Sequence, residues 1–116
     1  MINTSENSPC IYLRHTTPSL HNRWLPILHG IEEESIPVTV TQKGKDELDA
    51  NASEAAHLSA LGVGIACDEL TVVLHQKNLK KHQPLFRITT SETCNYHQLK
   101  TLGHNAARLV KGLPFK

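Results

Sequence analysis

The 116-residue sequence predicts an α/β fold: a single compact domain in which a mixed five-stranded sheet is covered by three helices. Three observations lead to this class. Segments near both ends carry apolar residues at helical spacing, five short apolar runs have the composition of strands, and two of those runs are close enough to require a hairpin. We expect residues 1–8, which are largely polar, to be a flexible N-terminal head and residues 9–116 to be the domain.

The first strand and the first helix lie in the N-terminal third. Residues 9–13 are apolar and β-rich, which predicts strand one. The next segment carries apolar side chains on one helical face, at Leu20, Trp24, Ile27 and Ile31. Ser19 can cap this helix. Pro26 lies inside it and lacks a backbone donor, so we expect either a kink or a helix whose regular part begins near that proline.

The middle of the chain should continue the alternation of strand and helix. Residues 35–37 (SIP) end the first helix, and the largely β-branched residues 38–41 predict strand two. Residues 42–49 are charged and contain a glycine, so we expect a loop. Asn51 or Ser53 can then cap a short alanine-rich helix.

Three further strands follow. Residues 62–67 and 70–75 predict strands three and four, which must be antiparallel because the two residues between them are too few for a parallel crossover. Residues 85–89 alternate apolar and polar side chains and predict strand five, with Pro84 tolerable at its start. The sheet is therefore expected to be mixed.

The last helix has the clearest pattern in the sequence. Residues 89–92 (TTSE) fit a capping box, and Gly112 before Leu113 and Pro114 predicts a Schellman-type stop. The helix carries an apolar stripe and a second, more polar face: Leu99, Leu102, Ala106 and Leu109 on the first, and Lys100, His104, Arg108 and Lys111 on the second.

Composition excludes several classes of function. A net charge of +1 and an aromatic content of 4% supply neither the basic surface nor the stacking groups of a nucleic-acid-binding protein. The longest apolar runs have about five residues, far fewer than the roughly 20 needed to cross a bilayer, and the N-terminus lacks the pattern of a signal peptide. We therefore expect a cytoplasmic protein without a nucleic-acid or membrane partner.

Motifs for catalysis by the chain itself are weak. The Gly62-x-Gly64 stretch lacks the third glycine of a dinucleotide fingerprint and no P-loop lysine is present, so these glycines are expected to allow close backbone packing. The eight histidines contain no H-E-x-x-H motif, and their paired spacings supply two metal ligands at most. The three cysteines form no C-x-x-C pair and are expected to be reduced. Cys94, with His97 one turn away, could be a nucleophile, yet no orienting carboxylate accompanies it.

An acidic run, Glu32-Glu33-Glu34, lies where the first helix ends and its macrodipole is already negative. A nearby cation would relieve this arrangement, and two interpretations remain open. In the first interpretation, the helix end is solvated and is helped by His29, one turn before Glu33. Alternatively, one glutamate binds a metal ion or an arginine of a partner, since a single carboxylate cannot hold Mg²⁺ alone.

Three stretches of the chain resemble the small subunit of the diol/glycerol dehydratase reactivases. The likeness extends from about Ile11 to Phe115 in one order without large gaps. Its most specific part is the C-terminal pattern T-L-G-x-N-A-x-x-L-V-K-x-L-P. The stretches are residues 30–37 (GIEEESIP), 61–65 (LGVGI) and 101–114 (TLGHNAARLVKGLP).

The resemblance implies a fold like that of the dehydratase medium subunit and a non-catalytic role. In this family a large, actin-like ATPase subunit, which alone binds ATP or ADP, pairs with the small subunit in an α2β2 assembly. The complex acts as a chaperone-like reactivating factor. It releases damaged adenosylcobalamin from inactivated diol or glycerol dehydratase, and the small subunit is thought to exchange places with the dehydratase medium subunit.

The resemblance also implies one site residue. The second glutamate of the family's G-[IL]-E-E motif reaches a Mg²⁺ held by the large subunit, and here that residue is Glu33. The chain departs from the family pattern at Pro26 and at Arg14-His15. Two alternatives remain: a small-ligand or cofactor-binding α/β module, and a thiol enzyme built on Cys94. The sequence is compatible with either dehydratase as the target and with association with a bacterial microcompartment.

Overall fold

The sheet has five strands and is mixed, as predicted. The computed structural model describes residues 9–44, 47–90 and 96–116. In the order β2-β1-β3-β4-β5, strand β1 is parallel to both of its neighbours, and β4 is antiparallel to β3 and β5. The predicted hairpin is thereby confirmed. The strands are β1 Ile11–His15, β2 Val38–Gln42, β3 Val63–Cys67, β4 Thr71–Gln76 and β5 Phe86–Thr89.

Three α-helices cover the two faces of the sheet. They are α1 (Leu25–Glu33), α2 (Leu48–Leu58) and α3 (Tyr96–Lys111). Helices α1 and α3 pack against each other on one face, while α2 lies on the other face against β1, β3 and β4. The predicted class, one domain with a mixed sheet and three helices, is confirmed. The proposed flexible head, residues 1–8, lies outside the described residues.

The main hydrophobic core lies between the sheet and the α1–α3 pair. Burial of this many aliphatic side chains is the principal favourable term in folding. The opposite face has a much smaller core of Ala52, Ala66 and Val73. The largest fully buried side chains of the main core are Ile11, Leu13, Trp24, Ile27, Ile31, Ile65, Leu74 and Leu99.

Helix α2 lies close to the sheet because β3 contains a glycine. A methyl group on Gly64 would overlap backbone atoms of Ala52 and Ala56. The predicted role of this glycine in close backbone packing is confirmed, which removes the main sequence reason for suspecting a nucleotide loop here.

The first helix begins later than its apolar pattern suggested. A 3₁₀ turn, Asn22–Trp24, precedes α1, and Pro26 occupies the first turn of the helix, where its missing donor is not needed. Of the two expectations for Pro26, a kink was wrong and a start near the proline is confirmed. Ser19 does not cap the helix; His21 Nδ1 instead accepts a hydrogen bond from the Arg23 amide, 3.1 Å away, at the start of the 3₁₀ turn.

The second helix begins earlier than predicted. It starts at Leu48, directly after Glu47, which makes no side-chain cap, so the expected loop is shorter than residues 42–49. Asn51 and Ser53 are buried inside the helix and do not cap it. Because small side chains are needed where α2 meets the sheet, packing outweighs the usual preference of Asn and Ser for a cap.

The first strand lies two residues further along the chain than predicted. Its register pairs Ile11 with Val38, and it extends through Arg14, a charged residue that sequence reasoning placed beyond the strand. Arg14 is tolerated because its guanidinium lies 2.6 Å from the Glu54 carboxylate on α2. A buried charge is acceptable when it has such a partner.

The last helix ends as its sequence predicts. At its C-terminus the Leu113 amide donates to the Arg108 carbonyl (2.9 Å) and the Gly112 amide to the Leu109 carbonyl (3.3 Å), with Gly112 at φ 71°. These contacts confirm the Schellman stop. The predicted capping box, residues 89–92, includes residues 91 and 92, which lie outside the described residues. None of the described helices is long and apolar enough to cross a membrane.

Candidate functional site

Helices α1 and α3 cross at two glycines. A Cβ atom on Gly30 would overlap the Lys100 carbonyl oxygen, and one on Gly103 would overlap the Ile27 carbonyl oxygen. The two backbones are therefore in direct contact. This contact brings the acidic C-terminal end of α1 beside the polar face of α3, and the titratable side chains that meet there form the α1–α3 charge cluster. Its members are Glu33, Glu34, Lys100, His104, Arg108 and Lys111.

Glu34 lies at the centre of the cluster and is largely buried, with 12% of its side chain exposed. Its Oε2 atom lies 2.8 Å from His104 Nδ1 and 3.2 Å from Arg108 Nε, and its Oε1 atom lies 3.1 Å from Lys111 Nζ. These three partners lie on successive turns of one face of α3. Glu34 therefore ties the end of α1 to the second half of α3.

Hydrogen bonds from His104 and Lys111 hold the pKa of the Glu34 carboxyl well below its usual range, at about 2. Arg108 and Lys111 contribute further through their positive charge. Glu34 is thus ionised at neutral pH, and the cations around it offset the unfavourable position of a carboxylate at a helix C-terminus.

The imidazole of His104 bridges two carboxylates. Nδ1 faces Glu34 as described, and Nε2 lies 2.9 Å from Glu33 Oε1. A neutral imidazole has one N–H, whereas the imidazolium has two, so the doubly protonated ring satisfies both contacts at once. The ring is nearly enclosed, with 9% of the side chain exposed, and holds the two glutamates at fixed positions.

Glu33 is more accessible than its neighbour. Its Oε2 atom lies 2.7 Å from Lys100 Nζ, and 48% of its side chain is exposed. The hydrogen bond and charge of Lys100, with a smaller contribution from His104, lower the pKa of the Glu33 carboxyl. Glu33 thus presents an ionised carboxylate that is held against α3 on one side and is open to solvent on the other.

Helix α1 ends immediately after these residues. Ser35 adopts a left-handed conformation (φ 63°), and the amides of Ser35 and Ile36 donate to the carbonyls of Glu32 (2.9 Å) and Ile31 (3.4 Å). This is a Schellman-type end with serine in the place that glycine usually occupies. It confirms that residues 35–37 terminate the helix.

The surroundings of the acidic run differ from the simpler interpretation of the sequence, in which the helix end is solvated and helped by His29. The end of α1 is not merely solvated, because Glu34 is enclosed by cations of α3, and within the described part of the chain His29 forms no ion pair with Glu33. Glu32 is exposed and has no ion pair among the described residues. Both charged segments were identified in the sequence, but their contact was not predicted.

The carboxylate of Glu33 is suited to supply one ligand to a cation whose other ligands come from elsewhere. Each carboxylate oxygen retains a second lone pair beside its hydrogen bond, and the exposed side of the group is free to meet another surface. Mg²⁺, if bound there, would supply a hard cation that prefers carboxylate oxygens, and its other ligands would have to come from elsewhere. Glu33 alone cannot form a complete site.

A second acidic group lies elsewhere on the surface and was not anticipated. Ligand atoms of Glu47, Asp49 and His82 all lie within 4.8 Å of one another. His82 Nδ1 is 3.1 Å from Glu47 Oε1, and Asp49 is paired with Arg87. These contacts account for the proximity of the three side chains without an ion.

Two of the cysteines are buried. Cys67 is fully enclosed in β3, where burial and the neighbouring charge of Asp68 raise the pKa of its thiol to about 12. The Cys10 thiol is also buried and lies 3.2 Å from the Thr39 hydroxyl. Neither thiol has the exposure that a nucleophile requires, and the raised pKa of Cys67 further disfavours its thiolate. Cys94, the candidate nucleophile, lies outside the described residues.

Comparison with known proteins shows the family to which this fold belongs. A family model described as "Dehydratase medium subunit" matches residues 8–116 of the chain. The chain belongs to the dehydratase medium subunit family. The fold expected from the resemblance noted in the sequence is thereby confirmed.

Proteins with similar sequences include small subunits of reactivating factors. The chain is 44% identical over 93 residues to the diol dehydratase-reactivating factor small subunit of Klebsiella michiganensis, covering 80% of this chain and 73% of that protein. This relative confirms the resemblance to the small subunit of the reactivases.

Two solved structures share the fold of this family member. One is described as a diol dehydratase-reactivating factor complexed with ADP and Mg²⁺; it is 38% identical, with a TM-score of 0.87 over 95% of this chain and 99% of that chain. The other, a glycerol dehydratase reactivase, is 28% identical, with a TM-score of 0.85 over 94% of this chain and 97% of that chain. The similarity covers nearly the whole molecule and is not confined to one motif.

Proposed function

We propose that this chain is the small, non-catalytic subunit of a chaperone-like, ATP-dependent factor that reactivates an adenosylcobalamin-dependent dehydratase. The observation that carries the proposal is the 44% identity to a diol dehydratase-reactivating factor small subunit over 80% of the chain. At this identity and coverage a shared role as a subunit is favoured over a shared fold alone. Of the two solved structures, the diol dehydratase-reactivating factor has the higher identity (38% against 28% for the glycerol dehydratase reactivase), which favours diol dehydratase as the target.

The chain acts by docking onto a large ATPase subunit, in an α2β2 assembly, and ATP or ADP is held by that subunit alone. Two features support this division of labour. The one glycine of β3, Gly64, is used for packing against α2, and no phosphate-binding glycine pattern occurs elsewhere in the sequence. The neighbour solved with ADP and Mg²⁺ is itself a reactivating factor, so a nucleotide belongs to the assembly in that relative.

Glu33 is the residue of this chain that meets the Mg²⁺ shared with the large subunit. Its ionised, half-exposed carboxylate projects from a helix end that is fixed to α3, so little side-chain and backbone freedom remains to be lost on docking. The cation links the two polypeptides because it takes ligands from both. Glu33 contributes attraction and orientation at the interface, not chemistry.

Reactivation proceeds by exchange of subunits. Because the chain has the fold of a dehydratase medium subunit, it can occupy the place of that subunit against a common partner. Nucleotide on the large subunit changes how tightly this chain is held, and by linkage the chain changes nucleotide affinity by the same factor. Loosening of the dehydratase during exchange lets the damaged cobalamin leave and intact coenzyme rebind. The exchange takes place in the cytoplasm.

A small-ligand module is the weaker candidate. Among the described residues, a cleft between β5 and α3 is widely open and mostly apolar. It is too open to enclose a ligand, unlike typical cofactor sites, which bury most of the surface of the molecule that they hold. The lining residues are Phe86, Ile88, Gln98, Thr101, Leu102 and Asn105.

The test is a reconstitution with purified components. Diol dehydratase is inactivated with its coenzyme, and recovery of activity is followed after addition of fresh adenosylcobalamin, ATP and Mg²⁺ with the large subunit, this chain, or both. We expect recovery when both are present and ATP is supplied, and co-elution of the two polypeptides in size-exclusion chromatography. Recovery with the large subunit alone, or absence of any complex between the two, would contradict the proposal.

A further inference from the structure

Glu33 already has a cation in the isolated chain. Lys100 Nζ lies 2.7 Å from its Oε2 atom, and the pair is partly accessible, with 27% of the lysine side chain and 48% of the glutamate side chain exposed. A Mg²⁺ ion brought to the same carboxylate would lie within a few ångströms of this ammonium group. Two cations so close repel each other strongly unless one moves away.

We propose that Lys100 is an internal counter-ion of Glu33 that gives up its place when the chain docks, so that Lys100 limits how tightly the chain binds its partner. The inference rests on the proposed role of Glu33 and adds a residue of this chain that opposes that role. Lys100 is thus a tuning residue of the interface, and its removal strengthens binding.

Of the two partners of Glu33, Lys100 and not His104 is the group that moves. The imidazole of His104 is nearly buried and is held from its other side by Glu34, so it cannot leave without breaking a second contact. Lys100 has a flexible four-carbon stem and three rotatable donors on a compact charge.

A second resting place for the ammonium group lies beside the first. Lys100 Nζ is 5.7 Å from the centre of the Tyr96 ring, whose side chain is exposed. The face of an aromatic ring attracts a cation at this distance. A short rotation of the lysine side chain therefore releases Glu33 without leaving the charge unaccompanied.

Displacement of Lys100 should cost little, because partly exposed ion pairs contribute weakly to stability. The same argument limits the size of the effect. We expect the Lys100→Gln variant to bind the large subunit about two- to fivefold more tightly in the presence of Mg²⁺, the range that such ion pairs usually span.

The experiment is a double-mutant cycle on the dissociation constant for the purified large subunit with Mg²⁺ and ADP, measured by titration calorimetry. The variants are Glu33→Gln, Lys100→Gln and the double variant. Glu33→Gln should bind more weakly than the unchanged chain, Lys100→Gln more tightly, and the double variant like Glu33→Gln. Lys111→Gln is the matched control, because it removes a cation of the same helix from Glu34 and not from Glu33; it should not tighten binding.

A second variant of the same residue keeps its positive charge. Lys100→Arg keeps the charge and can hold the carboxylate with two parallel hydrogen bonds, so it should bind the large subunit no more tightly than the unchanged chain. Circular dichroism of each variant checks that it folds. If Glu33→Gln weakens binding but Lys100→Gln does not strengthen it, the role of Lys100 is wrong while that of Glu33 stands. If Glu33→Gln binds as the unchanged chain does, the proposed role of Glu33 fails first.

Discussion

Glu34 Oε2 and His104 Nδ1 are 2.8 Å apart, although the two residues are separated by 70 positions in the sequence. This hydrogen bond fastens the end of α1 to the middle of α3. The adjacent Glu33 uses the other nitrogen of the same ring and remains exposed. One histidine thus separates the two glutamates into a structural anchor, Glu34, and a candidate binding group, Glu33.

Glu34 should make the stability of the domain depend on pH in the acid range. A carboxyl whose pKa falls on folding stabilises the folded state above its unfolded pKa, and this contribution is lost as the pH falls through the folded pKa. For Glu34 the window runs from its usual value of 4.5 down to about 2. Denaturant titrations between pH 6 and pH 2 should therefore show a stability difference between the unchanged chain and Glu34→Gln that shrinks across this window. A constant difference would contradict the assignment.

Removing the anchor should destabilise the domain more than removing the candidate binding group. Glu34→Gln loses the charge that His104, Arg108 and Lys111 share, in a nearly enclosed position, whereas Glu33→Gln changes a half-exposed pair. Thermal unfolding of the two variants should show the lower midpoint for Glu34→Gln. Equal midpoints would mean that the two carboxylates have the same role in folding.

The helix crossing should not tolerate a side chain at its centre. Gly103→Ala places a methyl group against the backbone of α1, so the helices must move apart, and overpacking of this kind typically costs about 1–3 kcal/mol. Gly44→Ala is the control, because open space surrounds that position and its expected change is within about 0.5 kcal/mol. The free energy of unfolding of each variant in urea provides the comparison. A Gly103→Ala variant as stable as Gly44→Ala would exclude the close crossing.

The buried thiols should be protected in the folded chain. Burial raises the pKa of the Cys67 thiol to about 12, so very little thiolate forms at pH 8. In a Cys94→Ser variant, which retains two of the three cysteines, Ellman's reagent should react slowly with the native chain and rapidly after denaturation. Rapid reaction of that native variant would show that Cys10 or Cys67 is accessible.

The architecture was largely predictable because it depends on local patterns. The hairpin follows from the short connection between strands three and four, which has two residues in the predicted ranges and three in the structure. The stop of α3 follows from Gly112 and the residues after it. Boundaries were less predictable where packing competes with local preference. Asn51 has the chemistry of a cap but is buried within α2, and Arg14 extends a strand because Glu54 compensates its charge.

The geometry of the candidate site was less predictable. The sequence placed Glu33 at a helix end and Lys100 and His104 on one helix face, but their contact depends on how two distant helices cross. The signal that could have indicated it is a glycine near the middle of each helix, Gly30 and Gly103, since such glycines often mark close packing. The charge cluster follows once that crossing is known.

The proposed function depends on a fixed carboxylate, that of Glu33, which completes a cation site belonging to another polypeptide. The most direct test measures the affinity of this chain for the large subunit with and without Mg²⁺, for the unchanged chain and for Glu33→Gln. We expect Mg²⁺ to tighten binding of the unchanged chain and to have little effect on the affinity of Glu33→Gln. The same response to Mg²⁺ in both proteins would contradict it.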